Sequence, residues 1–180
     1  MTPTAVPDVG TCEGCGAVLP VQDGPTHRYM ASSAACWATF TGLSDPHRPL
    51  AGAAFDALIV DAYAAQHPGR PSPQTINSVA IHLMVLCGVL EHSFRPDQAL
   101  WVRQRPGRPS RLPKHNRFHW LAPPAFTSIL TVADVSRGET PARRSDLAEQ
   151  WIREVWSTWA AAHRPQVENW FGRYVLSERV

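Results

Sequence analysis

The 180-residue sequence lacks the features that define several classes of protein. Its four cysteines are too few for the disulfide framework of a small secreted protein. Its net charge of +2 is too small for the whole chain to act as a polycation. Residues 1–10 lack the basic start and apolar run of a signal peptide. These absences predict a cytoplasmic protein.

A continuous apolar run long enough to span a membrane is also missing. The longest uncharged stretch is residues 71–90, which is interrupted by Pro73, Gln74, Asn77 and His82. A membrane-spanning helix needs about 20 predominantly apolar residues. The stretch therefore predicts a buried helix of a protein that does not enter the membrane.

The spacing of apolar residues predicts a mainly α-helical fold. Residues 37–92 and 145–176 show helical periodicity and should form a helical bundle. Residues 95–124 are rich in proline and arginine and predict a long surface loop. Residues 11–36 show helical periodicity only near their end, and their irregular pattern predicts a zinc knuckle. With 44% hydrophobic residues, including seven tryptophans, residues 1–180 should form a single domain.

Capping signals predict where the helices begin and end. The predicted helices start after Ser32 or Ser33, near residue 50, at Ser72-Pro73 and near residue 145. They end near Leu43, at Gln66, near Leu90 and near His163, where Pro165 kinks the last helix or begins another. Residues 126–135 predict either one helical turn or a short strand.

Three thiols carry the strongest functional signal in the sequence. Cys12-Glu13-Gly14-Cys15-Gly16 has the spacing of a metal-binding turn, and Cys36 follows at the start of a helix. A redox dithiol, which normally opens a helix, is the first alternative, and Pro20 and Asp23-Gly24-Pro25 disfavour a helix there. Three unrelated thiols are the second alternative. The pattern favours a zinc site with Cys12, Cys15 and Cys36 as ligands.

The fourth ligand is open between two histidines. His67 ends the second helix beside Pro68-Gly69, and its imidazole could reach a peripheral site. His82 would lie level with Cys36 if the first three helices packed as tight antiparallel neighbours. His27 and Asp56 are further, weaker candidates.

Other polar residues fall on helices that should pack together. Asp61, His82 and His163 are the candidate catalytic residues of a metal-dependent or acid/base enzyme with a pocket between helices. They lack the paired spacing that identifies such sites. The competing interpretation is a hydrogen-bonded network in the core.

Basic residues accumulate between residues 103 and 117, with no acidic residue from 98 to 133. Arginines interleaved with aromatic residues could bind nucleic acid through phosphate contacts and base stacking. The prolines could instead present an extended ligand to a protein partner. A solvated basic loop is the simplest interpretation.

The motifs together resemble an uncharacterised bacterial family, a domain of unknown function. The resemblance rests on Cys12-x-x-Cys15-Gly16, Ser33-x-x-Cys36-Trp37, Val60-Asp61-Ala62-Tyr63-x-x-Gln66-His67-Pro68-Gly69 and Val79-x-x-His82-Leu83. It implies no activity. From the residues we expect a structural zinc ion and a binding or regulatory role, with an enzyme and a nucleic-acid-binding protein as the alternatives.

Overall fold

The computed structural model describes residues 8–43, 54–107 and 117–177. Its regular elements are β1 (Val9–Thr11), β2 (Val18–Pro20), α1 (Ala34–Leu43), α2 (Ile59–Gln66), α3 (Pro73–Glu91), α4 (Ala99–Gln104), α5 (Val132–Ser136) and α6 (Pro141–Phe171). The fold is mainly helical, as the sequence predicts, with a small N-terminal hairpin.

The knuckle contains a two-stranded antiparallel hairpin that the sequence does not reveal. β1 pairs with β2 so that Gly10 lies opposite Leu19. α1 follows, and the Ser33 side chain accepts a hydrogen bond from the Cys36 backbone N–H at 3.2 Å. This is the predicted N-terminal cap, and it identifies Ser33 as the capping residue. The predicted end of this helix, Ser44-Asp45-Pro46, lies outside the described residues.

α2 is shorter than predicted and α3 starts where predicted. α2 begins at Ile59, after a 3₁₀ turn at Asp56–Leu58 that directs Leu58 into the core. At the start of α3, the Ser72 hydroxyl accepts a hydrogen bond from the Thr75 backbone N–H, with Pro73 in the first turn.

α3 is the central helix and packs against α2, α4 and α6. Among the described helices it alone is long and apolar enough to cross a membrane by length and composition, with a mean hydropathy of 1.4. Half of that 18-residue window is buried inside the protein. Its apolar character thus matches its position in the core.

The arginine- and proline-rich segment contains a helix that the sequence analysis does not predict. α4 places Ala99 and Val102 in the core, while residues 117–130 lack helix and strand. Residues 108–116, the centre of the predicted loop, lie outside the described residues. Residues 126–135, predicted to form either a helical turn or a short strand, contain the short helix α5, which is capped by Thr131.

α6 starts earlier and runs further than predicted. Thr140 caps it with Pro141 in the first turn, the same signal that opens α3. It continues through Pro165, which has no N–H to donate to the Ala161 carbonyl. Both residues are exposed, so water can solvate that carbonyl. The fully or nearly fully buried tryptophans of this helix are Trp151, Trp156, Trp159 and Trp170.

Candidate metal centre

The turn between β1 and β2 positions the first two thiols. The Gly16 N–H donates to the Cys12 carbonyl at 2.8 Å, and the Cys12 N–H donates to the Ala17 carbonyl at 2.9 Å. Gly16 has φ +75°, which a residue without a side chain adopts at low cost. No helix follows Cys15, so the structure lacks there the feature that activates a redox dithiol.

α1 brings the third thiol to the turn. Cys36 lies in the first turn of this helix and is fully buried. The backbone N–H of Ser33, just before the helix, points to the Cys12 sulfur at 3.5 Å. The start of α1 therefore contacts the knuckle both through a thiol and through a backbone donor.

His67 supplies the fourth group from the end of α2. Its Nδ1 lies 2.7 Å from the Tyr63 carbonyl, which can only accept a hydrogen bond, so Nδ1 carries the proton. In the neutral imidazole Nε2 is then the unprotonated nitrogen, and it lies 3.3 Å from the Cys36 sulfur. The ring also stacks on Tyr63 at 4.0 Å between centroids. Such a backbone contact fixes the tautomer of histidines that ligate metals.

The four candidate ligand atoms converge on one point. The atoms of Cys12, Cys15, Cys36 and His67 lie within 4.8 Å of one another, and all four residues are buried. The Cys15 and Cys36 sulfurs are 3.8 Å apart, whereas a disulfide needs about 2.05 Å. Sulfurs at about 2.3 Å from a tetrahedral zinc ion would lie about 3.8 Å apart. The spacing therefore fits a metal ion of this size.

The three thiols also share charge. Hydrogen bonds from Cys15 and Cys36 lower the pKa of the Cys12 thiol. The hydrogen bond with Cys12 raises the pKa of Cys15 to about 12, and the pKa of Cys36 is raised for the same reason. The three thiols are therefore strongly coupled, and a cation bound between them would favour the thiolate form of all three.

The other candidate ligands lie elsewhere. His82 contacts Asp61 instead of the thiols. His27 accepts a backbone hydrogen bond from Tyr29 and packs on the ring of Trp37. Asp56 stands outside the cluster, and burial raises the pKa of its carboxyl. The structure therefore brings His67 to the three cysteines, and their binding of a metal stays a prediction.

Two of the three candidate catalytic residues form a second polar cluster. The fully buried Asp61 carboxylate accepts from His82 Nδ1–H at 2.7 Å. It also accepts a bidentate pair from Arg103, at 2.9 Å from Nε and 2.6 Å from one terminal nitrogen. That nitrogen donates to the Ala57 carbonyl as well. The sequence analysis missed this use of Arg103, since 42 residues separate the partners.

The third catalytic candidate, His163, lies apart from this pair. Its Nε2 is 2.8 Å from the Ala122 carbonyl, and its ring packs on Trp159. In the basic segment, Arg103 is neutralised by Asp61 and Arg105 stacks over Trp101 at 4.2 Å. Of the basic residues proposed to contact nucleic acid, Arg108, Arg111 and Lys114 lie outside the described residues. Cys87, which lies outside the thiol cluster, is fully buried.

Comparison with known proteins matches the chain to a family. The model of a family of unknown function matches residues 10–160, which covers the hairpin, the thiol cluster and most of α6. No curated protein and no solved structure matches the chain.

Proposed function

The chain belongs to DUF5946, a family of unknown function, and we propose from its contacts that it is a cytoplasmic helical domain stabilised by a structural zinc ion. The observation that carries this proposal is the buried convergence of Cys12, Cys15, Cys36 and His67. Buried thiols without a disulfide suit a reducing compartment.

The ligand set supports a structural role for the ion. Three thiolates and one imidazole would fill the four tetrahedral positions of zinc, which leaves no position for a water or substrate. The thiolates would also offset the ion's charge and weaken its action as a Lewis acid. We therefore propose that the domain works by binding or regulation, with the ion holding the hairpin, α1 and the end of α2 together.

A matched pair of cysteine variants tests the proposal. The protein should purify with one zinc per chain, measured by plasma mass spectrometry. Cys12→Ala should lose the zinc and lower the Tm by about 10 °C or more, because metal binding is coupled to folding. Cys87→Ala, which removes an equally buried thiol outside the cluster, should keep the zinc. Absence of zinc from the native protein, or full occupancy in Cys12→Ala, would contradict a structural zinc site.

Acid/base chemistry at His82 is a second candidate. It is favoured by the Asp61 carboxylate, which orients the ring by accepting from Nδ1–H, so that Nε2 can accept a proton in the neutral imidazole. The His82 side chain is 14% exposed, so solvent reaches part of the ring. A histidine oriented by a buried carboxylate is the arrangement found in general bases.

Two substitutions separate this role from a purely structural one. Asn at position 82 can place an amide N–H near the position of Nδ1, whereas Ala cannot. If His82 serves chemistry, both variants should fold with a Tm within about 3 °C of the native value, which is roughly 1 kcal/mol. If only His82→Ala unfolds at a much lower temperature, the hydrogen bond to Asp61 is structural.

A further inference from the structure

We propose that a cavity between the knuckle and the start of α3 binds a small molecule through a single oxyanion group, a phosphate or a carboxylate. The cavity has a volume of about 480 Å³. Its lining includes Glu13, Arg28, Tyr29, Arg70, Ser72 and Gln74.

The two walls of this cavity are fixed to each other by backbone contacts. Met30 and Pro68 form an isolated antiparallel bridge. The Ala31 N–H donates to the His67 carbonyl at 3.1 Å. Residues 28–31 therefore form one wall of the cavity, and residues 67–70 lead into the other. Because backbone contacts join the two walls, the cavity is already formed without a ligand. Binding would therefore cost little conformational entropy.

An arginine from each wall faces this cavity. Arg70 has no ion pair or hydrogen bond with any residue that the structure describes, and the guanidinium of Arg28 packs over the Tyr29 ring at 5.4 Å. Glu13 is the single carboxylate in the lining, and it pairs with neither arginine. The lining thus has two guanidinium groups against one carboxylate. Guanidinium groups bind carboxylate and phosphate through paired hydrogen bonds.

The composition of the cavity limits the class of ligand. The Ser72 hydroxyl already caps α3 through the Thr75 N–H, so recognition rests on the arginines and not on the end of the helix. Glu13 disfavours a polyanion such as a nucleic-acid backbone. Its carboxylate suits a small ligand that carries one anionic group and polar donors beyond it.

The test measures binding of inorganic phosphate and, separately, of acetate to the full-length protein as purified, at low ionic strength. The NMR chemical shifts of the backbone amides in residues 28–31 and 69–75 should change with one anion or with both. The anion that causes the change shows whether the cavity binds a phosphate or a carboxylate group. Arg70→Ala should weaken binding about tenfold, because it removes a charge-assisted contact. Its Tm should not change, since Arg70 is exposed.

Arg143→Ala is the matched control. Arg143 is also exposed and lies in the first turn of a helix capped by a hydroxyl, but it does not line this cavity. It should bind both anions as the native protein does. Equal losses in the two variants, or no shift of residues 28–31 and 69–75 with either anion, would overturn the proposal. If Arg70→Ala proves unstable, Arg28→Ala gives the same comparison from the opposite wall.

Discussion

At the residue scale, the thiol cluster is packed so tightly that one position has no room for a side chain. A Cβ on Gly14 would lie 2.3 Å from the Ala31 carbonyl oxygen and 2.6 Å from the His67 ring. Neither neighbour can move freely. The Ala31 N–H donates to the His67 carbonyl, and Nδ1 of the His67 ring is hydrogen-bonded to the Tyr63 carbonyl. The glycine between the first two cysteines is therefore required by contacts with a distant part of the chain.

A pair of glycine variants checks this requirement. Gly14→Ala should destabilise the protein by about 2 kcal/mol through overpacking and should lower its zinc content. Gly24→Ala serves as the control, because its Cβ would meet only the Ala34 methyl group at 3.8 Å, an ordinary contact. Thermal unfolding and metal analysis measure both effects. A Gly14→Ala protein with native stability and zinc would show that the turn has more space than the structure gives it.

At the scale of elements, the buried Asp61 carboxylate joins three helices. Asp61 lies on α2, His82 on α3 and Arg103 on α4. A buried charge is tolerated when it is paired and hydrogen-bonded, and removing one partner leaves the other uncompensated. The network therefore fixes the position of the short helix α4 against the central helix.

The chain contains a matched comparison for this network. Asp61→Asn should cost about 3 kcal/mol, because Arg103, whose side chain is 21% exposed, loses its counter-charge. Asp97 also receives a bidentate arginine, Arg95, but both side chains are more than 60% exposed. Asp97→Asn should therefore cost less than about 0.5 kcal/mol. Denaturant unfolding gives both values, and similar losses in the two variants would contradict a special role for Asp61.

At the scale of the whole molecule, two different kinds of interaction hold the parts of the fold. The hairpin has strands of only three residues and contributes few buried apolar side chains. α3 and α6 instead share a core that includes Leu83, Leu86, Trp151 and Trp159, all fully buried. We expect the knuckle to depend on the metal and the bundle to depend on apolar burial.

Hydrogen exchange after zinc removal tests this division. Treatment with a chelator should strip protection from residues 9–20 and 34–43, because the ligands that join them to α2 would separate. Residues 79–90 and 151–160 should stay protected, and the untreated protein is the control. Uniform loss of protection would show that the core also needs the ion, and unchanged protection would show that the ion is not structural.

Local signals account for what the sequence predicted correctly. Ser33 and Ser72 act through neighbours within a few residues, and the helix over residues 145–163 shows as helical periodicity, so these features can be read along the chain. Thr140-Pro141 is the same kind of helix-start signal as Ser72-Pro73, and α6 begins there instead of near residue 145 as predicted. The helical class follows from such patterns.

The thiol spacing, the helix caps and the apolar faces can be read from the sequence, because they depend on chemistry between near neighbours. The sequence leaves open whether His67 or His82 lies beside the thiols, and the packing of the helices selects His67. That choice depends on where α2 ends relative to α1, and no signal between near neighbours in the sequence sets this distance. The pairing of Asp61 with Arg103 and the cavity beside Arg70 likewise arise from segments far apart in sequence, whose proximity is fixed by packing.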